Sequence, residues 1–360
     1  MPNISVMAVF MWFSSHVSTL TGFARICTDE RPLNKKEIEA MVSPQAPLGS
    51  PFGYRSRARE VAADADLAGK CVLVTGGYSG IGTQTVAALA ANGAEVIVGA
   101  RRLEAAQEEM SVLEGDITAL ELDLADPGSI DAFAASVGER WKRIDILINN
   151  AAVMACPETR DARGFEMQFS TNHLGHFHLT ARLWPLLVTA TAARVVALSS
   201  IGHRLGGPDL DDPNWETRAY EKWPAYGAAK SANALFALHL DQLGEPHGVR
   251  AFSVHPGGIA TPLQRHLTMD EQKAMGWYDD EGNTHERFKS VEEGASTTVW
   301  AATSPLLDGH GGVYCEDCDI AAPASEDRPG AGVSPHVTDR EFAARLWAKS
   351  EELTGVMFAP

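Results

Sequence analysis

The chain has 360 residues and a formal net charge of -17, with 47 acidic side chains against 30 basic ones. That balance excludes a protein that tracks nucleic-acid phosphates, which would concentrate lysine and arginine, and it describes a solvated, self-repelling surface. The five cysteines are odd in number and mostly scattered, which argues against a disulfide scaffold and suits a reducing cytoplasm.

Residues 1–60 differ in character from the rest of the chain. Ile4–Phe13 is apolar but too short to span a bilayer, and no Lys or Arg precedes it as a signal peptide would require. No firm membrane anchor is expected. Pro32, Pro44, Pro47 and Pro51, with Gly49 and Gly53, read as linker. Met41-Val42-Ser43-Pro44 would serve as a plain start, so residues 1–40 are expected to be dispensable and 1–60 poorly ordered.

From Lys70 strands and helices alternate. Cys71–Thr75 is an apolar run suited to a buried parallel strand, and Gly80–Asn92 follows as an alanine-rich helix ending at Gly93. Val96–Ala100 is a second strand and Leu103–Leu113 a second helix. Leu120–Leu124, Ile144–Ile148, Val195–Leu198 and Val249–Val254 continue the strands, with long helices over 165–189 and 225–243. Repeated strand–helix units imply an α/β fold, a single Rossmann-type doubly wound parallel sheet with helices on both faces. One domain is expected over residues 65–322. The tail 323–360 should carry an amphipathic helix over Asp339–Leu353, with Phe342, Leu346, Trp347 and Leu353 docking on its own domain. Cys315 and Cys318 form the one close cysteine pair, too little for a structural zinc site, and no metal is expected.

The turn Thr75-Gly76-Gly77-Tyr78-Ser79-Gly80-Ile81-Gly82 lies between the first strand and its helix. Glycines there let backbone approach a pyrophosphate, and the helix N-terminus adds positive potential. Gly76, Tyr78, Ser79, Gly80, Ile81 and Gly82 are therefore cofactor-binding candidates. An NAD site usually ends its second strand with an acid. Here Arg101 and Arg102 follow Ala100, and two guanidiniums suit a 2′-phosphate, so NADP(H) is expected over NAD(H). Asp123, beside Leu124 at the end of the third strand, either accepts from the adenine amino group or is a loop carboxylate.

Tyr226 and Lys230 are four apart and share a helix face. An ammonium beside the phenol is expected to pull its pKa down from about 10, giving an acid or base for carbonyl/alcohol interconversion. Such a spacing is common by chance; its company gives it weight.

With Asn149-Asn150-Ala151-Ala152, Thr171-Asn172-His173-Leu174-Gly175, Ser199-Ser200 and His255-Pro256-Gly257-Gly258, these motifs stand in an order that resembles the short-chain dehydrogenases/reductases over about residues 65–320. The likeness is strongest to the retinol-dehydrogenase-like branch and its bacterial oxidoreductase relatives. The resemblance implies a tetrad of Asn172, Ser200, Tyr226 and Lys230. Tyr226 would exchange a proton with the substrate oxygen, Ser200 would donate to that oxygen, and Lys230 would hold the nicotinamide ribose. Asn172 would order a water reaching Lys230. It further implies cofactor contacts at Asn150, Ala151, Pro256, Gly257, Ile259 and Thr261. Ala152 departs from the family's usual glycine, and Ser200 and Tyr226 are 26 positions apart, as in the retinol-dehydrogenase-like branch.

Nothing charged is placed to grip a carboxylate or phosphate on a substrate. Met154, Trp215 and Trp223 are candidate contacts for a hydrophobic alcohol or carbonyl compound, and Leu263–Lys289 suits a lid. A homo-oligomer is compatible with the sequence. The rival function is a catalytically silent NADP(H)-binding regulatory protein of the same fold, which would need the glycine turn but not Tyr226 or Lys230.

Overall fold

Every residue of β1 (Cys71–Thr75) is buried, the condition of a strand covered on both faces. The computed structural model, which describes residues 45–328 and 330–358, builds eight strands into one sheet of order β3-β2-β1-β4-β5-β6-β7-β8. The further strands are β2 (Glu95–Ala100), β3 (Asp116–Glu121), β4 (Ile146–Asn149), β5 (Ala193–Leu198), β6 (Val249–His255), β7 (Val313–Glu316) and β8 (Asp319–Ile320). All pairs are parallel except β7 with β8. That hairpin turns through Asp317 and Cys318, both at positive φ. Cys315 and Cys318 are buried free thiols.

Alternation along each strand assigns its side chains to one core or the other. Val72 and Val74 face a core shared with α1 (Ala58–Ala62), α2 (Ile81–Ala91) and the later helix Val291–Thr303. Leu73, between them, faces the opposite core with α4 (Pro127–Arg140), α5 (Gly175–Leu187) and α6 (Lys222–Gly244). Helix α3 (Leu103–Met110) follows β2; α7 (Met269–Ala274) and α8 (Val291–Thr303) follow β6. The doubly wound sheet with helices on both faces is thus the observed architecture.

Three local differences have physical causes. The third strand runs over Asp116–Glu121, not 120–124, because Leu122 and Leu124 leave the sheet edge and sink into the core near Phe133. The helix expected over 165–189 is interrupted. A turn at Met167–Phe169 passes into a π-helical turn, Ser170–Leu174, before α5 begins at Gly175. A Cβ at Gly175 would lie 2.3 Å from the Leu124 carbonyl oxygen, so only glycine allows this approach.

Residues 45–60, expected as part of a poorly ordered linker, are instead held in place. The N–H groups of Leu48, Gly49 and Ser50 donate to the Asp319 carboxylate, and Ala58 and Ala62 are buried in the first core. Ile4–Phe13, Cys27 and the segment at Met41 lie outside the described residues. At the other end α9 (Arg340–Thr354) packs on α6. Trp347 stacks on Phe236 at 5.7 Å and meets Phe177 and Phe358 edge-on, each at 4.9 Å. No described helix is long and apolar enough to cross a membrane.

Candidate active site

A cleft of about 2210 Å³ opens along the C-terminal ends of β1, β2, β4, β5 and β6, where ligands of open α/β sheets bind. Gly76, Tyr78, Ser79, Gly80 and Ile81 line its floor. Gly76 has φ 64°, and a Cβ on it would lie 3.0 Å from that of Ala151. Gly82 does not line the cleft; its hydrogen faces the Gly76 carbonyl oxygen, 2.5 Å from where a Cβ would stand. The α2 N-terminus, at Gly80, has no side-chain cap. A glycine cradle beneath an uncapped helix start fits a pyrophosphate. Thr75 Oγ1 ties this turn to the end of β4, accepting from the Asn150 and Ala151 N–H groups at 2.9 and 3.0 Å.

Arg101, Arg102, Asp123 and Leu124 line one end of the cleft. The Arg102 guanidinium lies over the Tyr78 ring at 5.9 Å. Asp123 spends one carboxylate oxygen on the Ala125 N–H at 2.9 Å. Arg265, not singled out from the sequence, joins this end from beyond β6. Burial, and then the charges of Arg101 and Arg102, hold its guanidinium below the ordinary arginine value. Three arginines therefore converge where two were expected. Nothing in the spacing of Arg265 announces it.

At the middle of the cleft Tyr226, Lys230 and Ser200 come together. Ser200 Oγ accepts the Gly202 N–H at 3.0 Å and hydrogen-bonds Tyr226. Ser199 turns its hydroxyl to the Lys230 carbonyl instead, at 2.7 Å. Lys230 Nζ donates to the Leu198 carbonyl at 2.8 Å and lies 5.8 Å from the Tyr226 ring centre. The expected lowering of the Tyr226 pKa by Lys230 is not found. Burial pushes the phenol up to about 12, against a smaller pull from Ser200. Burial likewise pushes Lys230 down to about 7, leaving it only about half charged at neutral pH. Asn172 is fully buried in the π-helical turn and does not line the cleft. Its amide is spent on Val153, accepting from the N–H at 2.8 Å and donating to the carbonyl at 2.9 Å. Its side chain thus braces the wall after β4 and does not reach toward Lys230.

Pro256, Gly257, Ile259 and Thr261 line the cleft beyond β6, as do Asn150 and Ala151. Against Gly257 lies Lys289, whose Nζ is 2.7 Å from Asp317. Around Tyr226 the wall is apolar, with Met154, Trp223, Leu263, Met275 and Trp277. The Trp223 ring stands edge-on to Tyr226 at 6.1 Å and to Trp277 at 6.0 Å. Trp215 is a correction: it does not line the cleft, because its ring is taken up by Arg218 at 3.9 Å and by Tyr220 at 5.8 Å. The segment 263–288 covers the cleft mouth and is tied down by Lys222–Glu271 and by Arg55, which donates to the Phe288 carbonyl at 2.9 Å. Tyr54, on the N-terminal segment, and Ala324, Ser325, Glu326, Gly330, Ala331, Ser334 and Pro335, on the C-terminal one, complete the lining.

A short chain dehydrogenase family model matches residues 70–272. The chain is 42% identical over 293 residues to a probable oxidoreductase of Streptomyces antibioticus, covering 78% of this chain and 96% of the relative. It is 37% identical over 304 residues to human retinol dehydrogenase 13, covering 81% and 86%. Among solved structures, an uncharacterized protein from Mycobacterium paratuberculosis superposes with a TM-score of 0.65 at 32% identity, over 83% of this chain and 98% of that one. The Pseudomonas aeruginosa RhlG/NADP active-site complex superposes with a TM-score of 0.55 at 26% identity, over 70% and 95%.

Proposed function

This chain belongs to the short-chain dehydrogenase family, and on that footing we propose that it is an NADP(H)-dependent oxidoreductase interconverting a hydrophobic alcohol and its ketone or aldehyde. The reading rests on one observation above all: the Tyr226 phenol and Ser200 hydroxyl meet in an apolar pocket that opens on the glycine-floored cleft. Gly76, Tyr78, Ser79, Gly80 and Ile81 would hold the pyrophosphate, with Arg101, Arg102 and Arg265 beside the 2′-phosphate. Asp123 and Leu124 would border the adenine. Asn150, Ala151, Pro256, Gly257, Ile259 and Thr261 would flank the nicotinamide end. The complex of RhlG with NADP, a structural neighbour, supports the cofactor class.

When bound, the cofactor supplies or accepts the hydride. The chain's own residues handle the oxygen. Ser200 Oγ accepts from Gly202 and hydrogen-bonds Tyr226, so its own proton is available to the substrate oxygen that binds beside the phenol and on which charge develops. Tyr226 keeps its proton at neutral pH, which suits donation to the oxygen in the reducing direction. Lys230, at about 7, is matched to return a proton to the phenolate. Asn172 acts through Val153 as a brace. Met154, Trp223 and Trp277 exclude water and select an apolar substrate.

The test is NADPH oxidation followed across a panel of hydrophobic ketones and aldehydes, with Tyr226→Phe alongside. Turnover should fall by a factor on the order of 10³ in the variant while cofactor binding persists. Binding without turnover in the parent protein, on every compound, would instead favour a silent NADP(H)-binding regulator.

A further inference from the structure

We propose that His203 is a positioning residue for Ser200, its ring held in a single neutral tautomer by the C-terminal segment. The proposal rests on the reading of Ser200 as the group that binds the substrate oxygen. His203 stands three residues beyond Ser200, in the 3-10 turn Ile201–Leu205, and is fully buried. Its Nε2 accepts the Ser334 N–H at 3.0 Å. A backbone N–H can only donate, so Nε2 carries no proton and Nδ1 must. That proton faces the Ser200 carbonyl at 2.7 Å, with the Tyr314 hydroxyl farther off at 3.1 Å. The tautomer is therefore dictated by a residue 131 positions away.

Ser200 is consequently set at both of its polar ends. Its carbonyl is held by the His203 ring together with the His203 backbone N–H at 3.0 Å, and its hydroxyl oxygen by the Gly202 N–H. The turn itself is pinned from α6, where the Ser231 hydroxyl is shared between the Gly206 carbonyl at 2.8 Å and the His203 carbonyl at 3.0 Å. Burial pushes His203 down to about 3, so the ring stays neutral through the working range. The segment that supplies Ser334 is anchored in its own right. Gly332 N–H donates to the Glu316 carboxylate at 2.8 Å, and Arg204 donates to the Ala331 carbonyl at 3.2 Å. The same segment lines the cleft, so one wall of the site orients a group on another.

The two nitrogens can be replaced separately. An asparagine amide nitrogen falls near the place of Nδ1 and can serve the Ser200 carbonyl. A glutamine amide oxygen falls near Nε2 and can serve Ser334 instead. His203→Asn should keep kcat within roughly threefold of the parent, whereas His203→Gln should lose a factor on the order of 10 to 100, the cost of misplacing a reacting group. NADPH affinity, read by nicotinamide fluorescence, should be unchanged in both. If asparagine is no better than glutamine, or kcat falls only in step with the melting temperature, the positioning role is refuted. Imidazole ¹⁵N spectra, with the His203 signal assigned by its loss in His203→Asn, need no turnover. They should show a neutral Nδ1–H ring. An Nε2–H ring, or one that titrates between about pH 5 and 8, overturns the proposal. Absence of turnover with the Nδ1–H ring intact overturns the reaction reading instead.

Discussion

Lys230→Met sets stability and chemistry against each other. Lys230 is buried and its pKa falls from 10.5 to about 7, with desolvation as the cause. Between those values the unfolded chain holds more protons than the folded one, so this lysine makes stability rise with pH through that window. At 1.36 kcal/mol per pKa unit the lysine costs the fold about 4 kcal/mol at pH 7 and about 1 kcal/mol at pH 9.5. Its hydrogen bond to Leu198 offsets part of this, roughly 1.5–3 kcal/mol for a charged donor. The Leu198 carbonyl is not stranded by the change, since Asn233 also donates to it at 2.9 Å. Methionine fills a similar volume without a charge. The variant should therefore be about 1–3 kcal/mol more stable than the parent at pH 7. That advantage should shrink by about 3 kcal/mol by pH 9.5, while turnover is lost. Urea unfolding followed by tryptophan fluorescence at the two pH values measures both. A Met variant less stable at pH 7, or an advantage equal at both pH values, would refute the argument from desolvation.

Two further outcomes are expected from the geometry. Replacing Arg101 and Arg102 together by alanine should raise KM for NADP(H) roughly 10- to 100-fold, since each charge-assisted bond contributes about 1.5–3 kcal/mol before solvent screening. KM for NAD(H) should stay within about twofold; a parallel loss with both cofactors would remove the arginines from the 2′-phosphate. Trp347→Ala should cost about 3–5 kcal/mol and lower Tm by roughly 5–10 °C, because its ring joins α9 to Phe177, Phe236 and Phe358. A shift below about 2 °C would mean that this contact does not hold the tail to the domain.

Local chemistry explains what is legible in the sequence. Cys71–Val74 is apolar because both faces of the strand are covered, and a glycine comes next because a Cβ at Gly76 would stand 3.0 Å from that of Ala151. Tyr226 and Lys230 share a helix face by spacing alone. Trp215 and Trp223 are equivalent in sequence, two tryptophans of one loop, yet Arg218 caps one while the other lines the pocket. No periodicity separates them.

What the sequence determined by itself was the order of strands and helices and the identity of groups fixed to one short segment, since backbone preference and helical spacing act over a few residues. Only the tertiary structure decided the protonation of Tyr226 and Lys230, the place of Arg265, the π-helical turn that spends Asn172 on Val153, and the link from Ser334 to His203. Each depends on atoms brought together from distant parts of the chain. Desolvation in particular is a sum over everything that surrounds a group, and it outweighs any neighbour that spacing alone can name.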